Sequence, residues 1–327
     1  MRNMFDHMPG AGVPMVAGNI PTFLGSKRVR SEDELENLDA VIVGLPWEGT
    51  NTWGSFSTCE QSPKGCRIAS MRYGNGYIPE YDIEVMKSLK LGDMGDLPAC
   101  STDVEKTFDF FTEGAKKIFA RKATPIFLGG DHACTYPVLR ALAEQRPHRV
   151  GILHFDAHLD NADAFLSDNM ARCCPLRRIA ETKGIDPTKI VHFGIRGPRN
   201  TVEQMDYARK SGATVLTMAT VRELGLEKAI AKAYDVITDG TDGYYVTVCS
   251  DIIDHAWNIG GPLDFNGLSV EDMCNALYTL AQGPMLGMDI VEVYPKSDFN
   301  DTSLHIVTWL AIYALAGLAI RQEQSVS

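Results

Sequence analysis

The 327-residue sequence predicts an α/β fold, a single domain in which a doubly wound, mainly parallel sheet is flanked by helices. Two observations predict it. From Asp39 to Ile320, short β-branched or apolar runs alternate with segments of helical period, the pattern of strands joined by helical crossovers. No internal repeat, low-complexity run or linker interrupts that alternation, and a chain of this length with 45% hydrophobic residues can fill one large core.

Taken in order, residues 1–30 are rich in Gly, Pro and Met without a clear period and are expected to form an N-terminal arm packed on the body or on a neighbour, with the α/β domain at 31–327. Asp39-Ala-Val-Ile-Val-Gly-Leu-Pro46 reads as the first buried strand, closed by Gly and Pro. Glu80 to Leu97 is less regular. Thr102 to Arg121 is helical, with Phe108, Phe111 and Ile118 on its apolar side. Thr124 to Leu128 is a strand that runs into Gly129-Gly130-Asp131-His132, and a helix from Thr135 to Glu144 leads to the strand Arg149 to Phe155. Downstream lie a helix at Leu176 to Thr182, a strand at Lys189 to Ile195, a helix from Thr201 and a strand at Ala213 to Leu216. One helix from Thr220 to Tyr234, a strand at Tyr244 to Ser250, a helix at Ser269 to Ala281, a strand at Met285 to Val291 and a helix at Thr302 to Ile320 complete the series.

A formal net charge of −11 argues against nucleic acid and anionic membrane as partners. No run of about 18 consecutive apolar residues occurs and the start lacks a secretory h-region, so the expectation is a cytoplasmic protein. Eight cysteines, at 59, 66, 100, 134, 173, 174, 249 and 274, show no CxxC pair and no regular spacing, which reads as reduced thiols.

The chemistry gathers at strand ends. Asp156, His158 and Asp160 stand at alternate positions and point the same way if the backbone stays extended. Two hard oxygens and an imidazole at a strand's carboxyl end suit a divalent metal. One Asp-x-His alone is more simply a polar loop, but the preceding strand delivers Asp131 and His132 to the same edge of the sheet.

Gly-Gly-Asp-His followed by Asp-Ala-His-x-Asp resembles the ureohydrolase family of arginase, agmatinase and guanidinobutyrase, and the resemblance covers almost the whole chain. It implies a three-layer, arginase-like α/β/α fold and a metal site of His132, Asp156, His158, Asp160 and Asp251, holding nickel or manganese, two ions per chain where the site is intact. Gly287-Met-Asp289-Ile-Val-Glu292-Val-Tyr-Pro295 resembles the segment whose Glu anchors a guanidinium group, a task suited to a carboxylate because it grips the flat cation with both oxygens. His192-Phe-Gly194-Ile-Arg196-Gly197 matches a further family segment, Pro21-Thr-Phe-Leu resembles one near the start of agmatinase-like members, and Ser62-Pro63-Lys-Gly-Cys66-Arg67 matches a helix start loosely.

Departures from the family pattern matter as much. Its Ser-x-Asp-x-Asp-x-x-Asp-Pro motif corresponds to Thr247-Val-Cys249-Ser-Asp251-Ile-Ile-Asp254-His255, so Cys249 replaces the Asp that bridges both metals in relatives; shifting the register loses other ligands instead. Arg172 aligns with the family's proton-transferring His, no His lies between His158 and His192, and an Arg stays protonated at neutral pH. Asp163 or Asp168 would have to replace that group. The loop from Trp53 to Gln61 lacks the expected Arg-x-Gly, and with the stretch from Phe165 to Cys174 it points to an altered pocket.

Two functions therefore compete. In one, the chain is an active dimetal hydrolase releasing urea or an amine from a small guanidino or biguanide substrate, with Glu292 as anchor and Cys249 as a thiolate bridge. In the other, it is a supporting subunit beside an intact homologous subunit in a trimeric or hexameric assembly, a pattern similar to that of nickel-dependent, agmatinase-like hydrolases built from two different subunits. Arg172 is then expected to reach into the pocket and neutralise its carboxylates.

Overall fold

Runs such as Ala40-Val-Ile-Val-Gly44 and Val150-Gly-Ile-Leu-His-Phe155 are buried at every residue, which requires helices on both faces of the sheet that they form. The computed structural model describes residues 21–50, 52 and 56–326. Within them the chain passes through β1 (Lys27–Arg28), β2 (Ala40–Gly44), α1 (Ser62–Ser70), a hairpin of β3 (Tyr77–Ile78) and β4 (Ile83–Glu84), α2 (Val85–Ser88) and β5 (Leu91–Asp96). Next come α3 (Val104–Phe119), β6 (Thr124–Leu128), α4 (Thr135–Gln145), β7 (Val150–Phe155), α5 (Pro175–Ala180), β8 (Ile190–Ile195) and α6 (Val202–Ser211). The series ends with β9 (Thr214–Thr217), α7 (Met218–Leu224), α8 (Leu226–Thr238), β10 (Gly243–Cys249), α9 (Val270–Ala281), β11 (Met285–Val291) and α10 (Thr302–Val326).

Nine strands form one parallel sheet in the order β1-β5-β2-β6-β11-β10-β7-β8-β9. The first half of the chain fills one side of the sheet, from edge strand β1 in to β6, and the next part builds outward from β7 through β8 to β9. β10 and β11 then return to fill the centre. The carboxyl ends of β6, β11, β10 and β7 therefore meet where the strand order reverses, the crevice in which open α/β sheets bind ligands.

Alternation along each strand divides the core in two. Leu153, Phe155, Val246 and Val248 pack with α1, α8, α9 and α10 on one face, while Val41, Phe127, Ile152 and Tyr245 pack with α3, α4 and α5 on the other. α10 is long and apolar enough to span a membrane, yet 78% of its apolar window is buried, much of it against α9 and α1, so that length serves as the middle of one layer. Helix α8 lies so close to β7 that a Cβ at Gly151 would fall on the Ile237 carbonyl. Gly151→Ala is accordingly expected to lower stability by about 1–3 kcal/mol. Urea denaturation followed by circular dichroism measures it, and an unchanged midpoint would show that α8 is free to move away.

Two expectations need correction. The irregular stretch from Glu80 to Leu97 contains β5, which pairs with both β1 and β2; Leu-Gly-Asp-Met-Gly-Asp hides it because two glycines and two carboxylates break the apolar run, and Arg67 binds those carboxylates. The single helix from Thr220 to Tyr234 is two helices, α7 and α8, separated at Gly225, whose φ of 80° no helix accommodates. The end of the expected N-terminal arm holds strand β1 at the sheet edge, while residues 1–20 lie outside the described residues.

Candidate metal centre

β6 ends in Gly129-Gly130 because the backbone there is hemmed in on both sides. Gly129 N–H donates to Ile290 O at 2.9 Å, Gly130 O accepts from Glu292 N at 2.9 Å, and a Cβ on Gly130 would strike the Trp47 backbone. That clamp sets the next residues. Asp131 accepts from Ala133 N at 3.0 Å as the cap of a short turn, and His132 N–H donates to Glu292 Oε1 at 2.7 Å. The ends of β6 and β11 are thereby locked together.

Two groups of donor atoms face each other above these ends, each with its atoms within 4.8 Å of one another. In the first, His132 Nδ1 lies 3.0 Å from Asp156 Oδ2 and 2.9 Å from Asp160 Oδ2, with His154 alongside. In the second, His158 Nδ1 lies 3.2 Å from Asp156 Oδ1 and 2.9 Å from Asp251 Oδ2. Asp156 thus gives one oxygen to each group. Asp251 sits just past β10 in a 3-10 turn (Ser250–Ile252), not on the strand itself, and is held by a bond from Ala157 N at 3.0 Å.

The hydrogen-bond pattern tests whether these residues fit a metal. Thr247 donates its one hydroxyl proton to Asp289 at 2.6 Å, so its oxygen accepts from His132 Nε2 at 3.1 Å. With Nε2 as the donor, Nδ1 faces two carboxylates, either as the second N–H of an imidazolium or as a lone pair directed at a cation. The buried Nδ1 of His132 and Oδ2 of Asp251 have no hydrogen-bond partner despite these short approaches. A proton on the imidazole or a cation between such atoms neutralises them, and the acceptor that Thr247 offers to the far ring nitrogen is an arrangement that ligating histidines use. The oxygen and imidazole donors fit a divalent cation.

Charge explains the titration of the group. Burial alone would lower the His132 imidazole, but Asp156 and Asp160 beside it hold it well above its usual range. Burial would raise Asp156, yet His132, His154 and His158 hold that carboxyl well below the ordinary value. Burial and then Asp156 raise Asp251.

Cys249 belongs to neither donor group. It is buried at the end of β10 and lines a cavity of about 460 Å³ together with His158, Asp160, Asp251 and Glu292. Burial, followed by Asp156, Asp251 and Glu292, pushes its thiol well above the normal value, so the surroundings favour a neutral sulfhydryl.

Arg172 reaches into this cavity and is 4% exposed. Its Nη1 donates to Glu292 Oε2 at 3.0 Å and to Tyr294 Oη at 3.3 Å, and its Nη2 donates to Glu48 Oε1 at 3.2 Å. Asp131 Oδ2 lies 3.9 Å away. Burial first, then the balance of Arg172 against Glu292, leaves the Asp131 carboxyl raised to about 7. The proposed substitutes for the missing His do other work: Asp168 accepts from Met170 N at 2.8 Å and from Thr50, and Asp163 lines the cavity but pairs with Arg178 at 3.0 Å.

Several residues escaped sequence reasoning. Glu48, Tyr294, Arg199 and Asp264 come from loops with no spacing to reveal them; Asp264 and Arg199 meet His158 Nε2 at 3.3 and 2.6 Å. His154 and His192 did leave a signal, a histidine inside each of two apolar strand runs. They pair across β7 and β8 with their Nδ1 atoms 2.9 Å apart, and His154 Nε2 lies 3.0 Å from Asp156. Arg196 ties its guanidinium to the carbonyls of Asp251 and Phe265 and so positions the turn that carries Asp251. Backbone conformation is also unusual here: Asp160 and Glu292 both adopt left-handed φ, 45° and 62°.

Comparisons with known proteins agree with this fold. The Arginase family model matches residues 38–317. Guanidinopropionase of Pseudomonas aeruginosa is 31% identical over 297 residues, which cover 89% of each chain. Guanidinobutyrase of the same organism is 28% identical over 308 residues, 93% of each. The solved structure of proclavaminate amidino hydrolase from Streptomyces clavuligerus superposes with a TM-score of 0.83 at 25% identity, covering 93% of this chain and 98% of that one.

Proposed function

The chain belongs to the arginase family, and from that premise we propose that it is a supporting subunit of a hydrolase acting on guanidino or biguanide C–N bonds, beside an intact homologous subunit in a trimeric or hexameric assembly. The reading makes it similar to the second subunit of metformin hydrolase, with a degenerate dimetal site. One observation carries it. Where the motif resemblance implies a bridging carboxylate stands Cys249, a thiol whose titration is raised by burial and then by Asp156, Asp251 and Glu292, and which belongs to neither donor group.

What the remaining residues do follows from their geometry. His132, Asp156 and Asp160 would hold one divalent ion, and Asp156, His158 and Asp251 a second. Such ions, nickel or manganese, supply Lewis acidity toward water and the guanidinium carbon when bound. Glu292 would grip a flat cation, and Tyr294 donates to Glu292 Oε2 at 2.5 Å, which fixes the carboxylate plane. Arg172, which aligns with the expected His, remains charged and cannot relay a proton in its place.

A second reading has an observation of its own. Five donors, among them an Asp156 that spans both groups, remain in place, as an active dimetal hydrolase with Cys249 as a thiolate bridge would require. One experiment separates the two. The chain is purified alone, loaded with nickel or manganese, and its metal content is read by mass spectrometry beside hydrolysis of guanidino and biguanide substrates. The supporting-subunit reading expects well under two ions per chain and no turnover until an intact homologue is added. Two ions with turnover by the chain alone would overturn it.

A further inference from the structure

Arg172 is surrounded by a site that does not depend on it. Glu48 Oε1 already accepts from Ser57 N at 2.6 Å and Ser57 Oγ at 2.8 Å, and Glu48 Oε2 accepts from Thr58 N at 2.8 Å. Glu292 Oε1 is held by His132 N, and Asp131 by Gly49 N at 2.7 Å and Ala133 N at 3.0 Å. Each of the three carboxylates is thus aimed by backbone N–H groups of the loops and turns that surround it. The Tyr294 ring adds a face 5.9 Å from the guanidinium carbon. Fixed carboxylates around an aromatic face make a cage for a planar cation, and its orientation is set before any cation arrives.

The occupant fits that cage incompletely. Arg172 Nε is buried and has no hydrogen-bond partner, so one edge of the guanidinium is turned away from every acceptor. The chain attached at Nε, which runs to the loop between β7 and α5, dictates that orientation. A free guanidinium has a third NH2 group there and is not tethered.

We propose that Arg172 is a built-in ligand of a guanidinium-recognition cage formed by Glu292, Tyr294, Glu48 and Asp131, and that removing its side chain opens the cage to guanidinium and guanidino compounds. The proposal rests on the reading above in taking this cavity for a guanidino-compound site; it needs neither metal nor turnover. In the native chain the tethered group competes with any diffusing ligand at a very high local concentration, so the cage stays closed to substrate.

The test uses the full chain as wild type and as Arg172→Ala, titrated with guanidinium chloride up to about 10 mM, where its denaturing action is negligible. Sodium chloride and urea serve as controls for salt and for a neutral molecule of the same shape. Calorimetry is expected to find a guanidinium site in Arg172→Ala with a dissociation constant on the order of 1 mM, absent from the wild type, together with a raised melting temperature that urea does not produce. Adding Glu292→Gln to Arg172→Ala is expected to abolish both signals. Arg172→Gln, which keeps most of the side-chain volume, is used if the alanine variant does not fold. A folded variant without a guanidinium-specific site overturns the proposal, as does equal binding by the wild type, or two unfolded variants that guanidinium does not restore. Turnover by the wild type alone would instead sink the supporting-subunit reading and leave the cage to be judged by these titrations.

Discussion

Cys249→Asp is expected to increase the chain's retention of manganese on the order of 100-fold, since even groups that merely orient a ligand change metal affinity by up to that much. The argument is one of donor number and hardness. Asp156 already offers one oxygen to each donor group, and a second carboxylate at 249 would do the same from the end of β10. The thiol offers a single soft atom, and burial among Asp156, Asp251 and Glu292 raises its titration, which works against the thiolate form that ligates. Metal content after gel filtration, with competition against a chelating dye, measures the change. Turnover is not expected from this substitution alone, because Arg172 still engages Glu292. Manganese retention equal to that of the wild type would show that the donor groups fail for some reason other than Cys249.

Arg67→Ala is expected to cost about 3–5 kcal/mol, the range for removing one partner of a buried ion pair. Arg67 is 3% exposed and Asp93 1% exposed, so the lost charge leaves a carboxylate without water to replace it. Nε and Nη2 of Arg67 bind the two oxygens of Asp93 at 2.8 and 3.0 Å, and Nη1 binds Asp96 at 2.5 Å. Asp93 also accepts from Phe23 N at 2.8 Å, which couples the entry of the chain to β5 and α1. A shift of the urea midpoint below about 1 kcal/mol, the worth of an exposed pair, would mean that water enters to solvate Asp93.

What could be read from the sequence follows from what makes each element. β6, β7, β10 and β11 are buried on both faces and so appear as unbroken apolar runs, and the metal-type residues stand out because they terminate those runs. β5 was hidden by Asp93 and Asp96, whose carboxylates look like loop chemistry until Arg67 is placed beside them. The break between α7 and α8 was hidden for the opposite reason, since apolar periodicity continues across Gly225. His132, Asp156, His158, Asp160 and Asp251 could be named in advance, as could Arg172 turning inward. Glu48 could not: it meets Arg172 across 124 residues of chain, and nothing local to Trp47-Glu48-Gly49 announces that contact.

The left-handed backbone at Asp160 and Glu292 stores strain in the lining of the pocket. Such conformations in residues with a Cβ each cost about 1 kcal/mol or more, and they persist only where surrounding structure insists on them. Glycine at either place would relieve the strain but would delete a metal-type oxygen or the guanidinium anchor. At these two positions the stability of the chain and the chemistry of its pocket therefore pull in opposite directions.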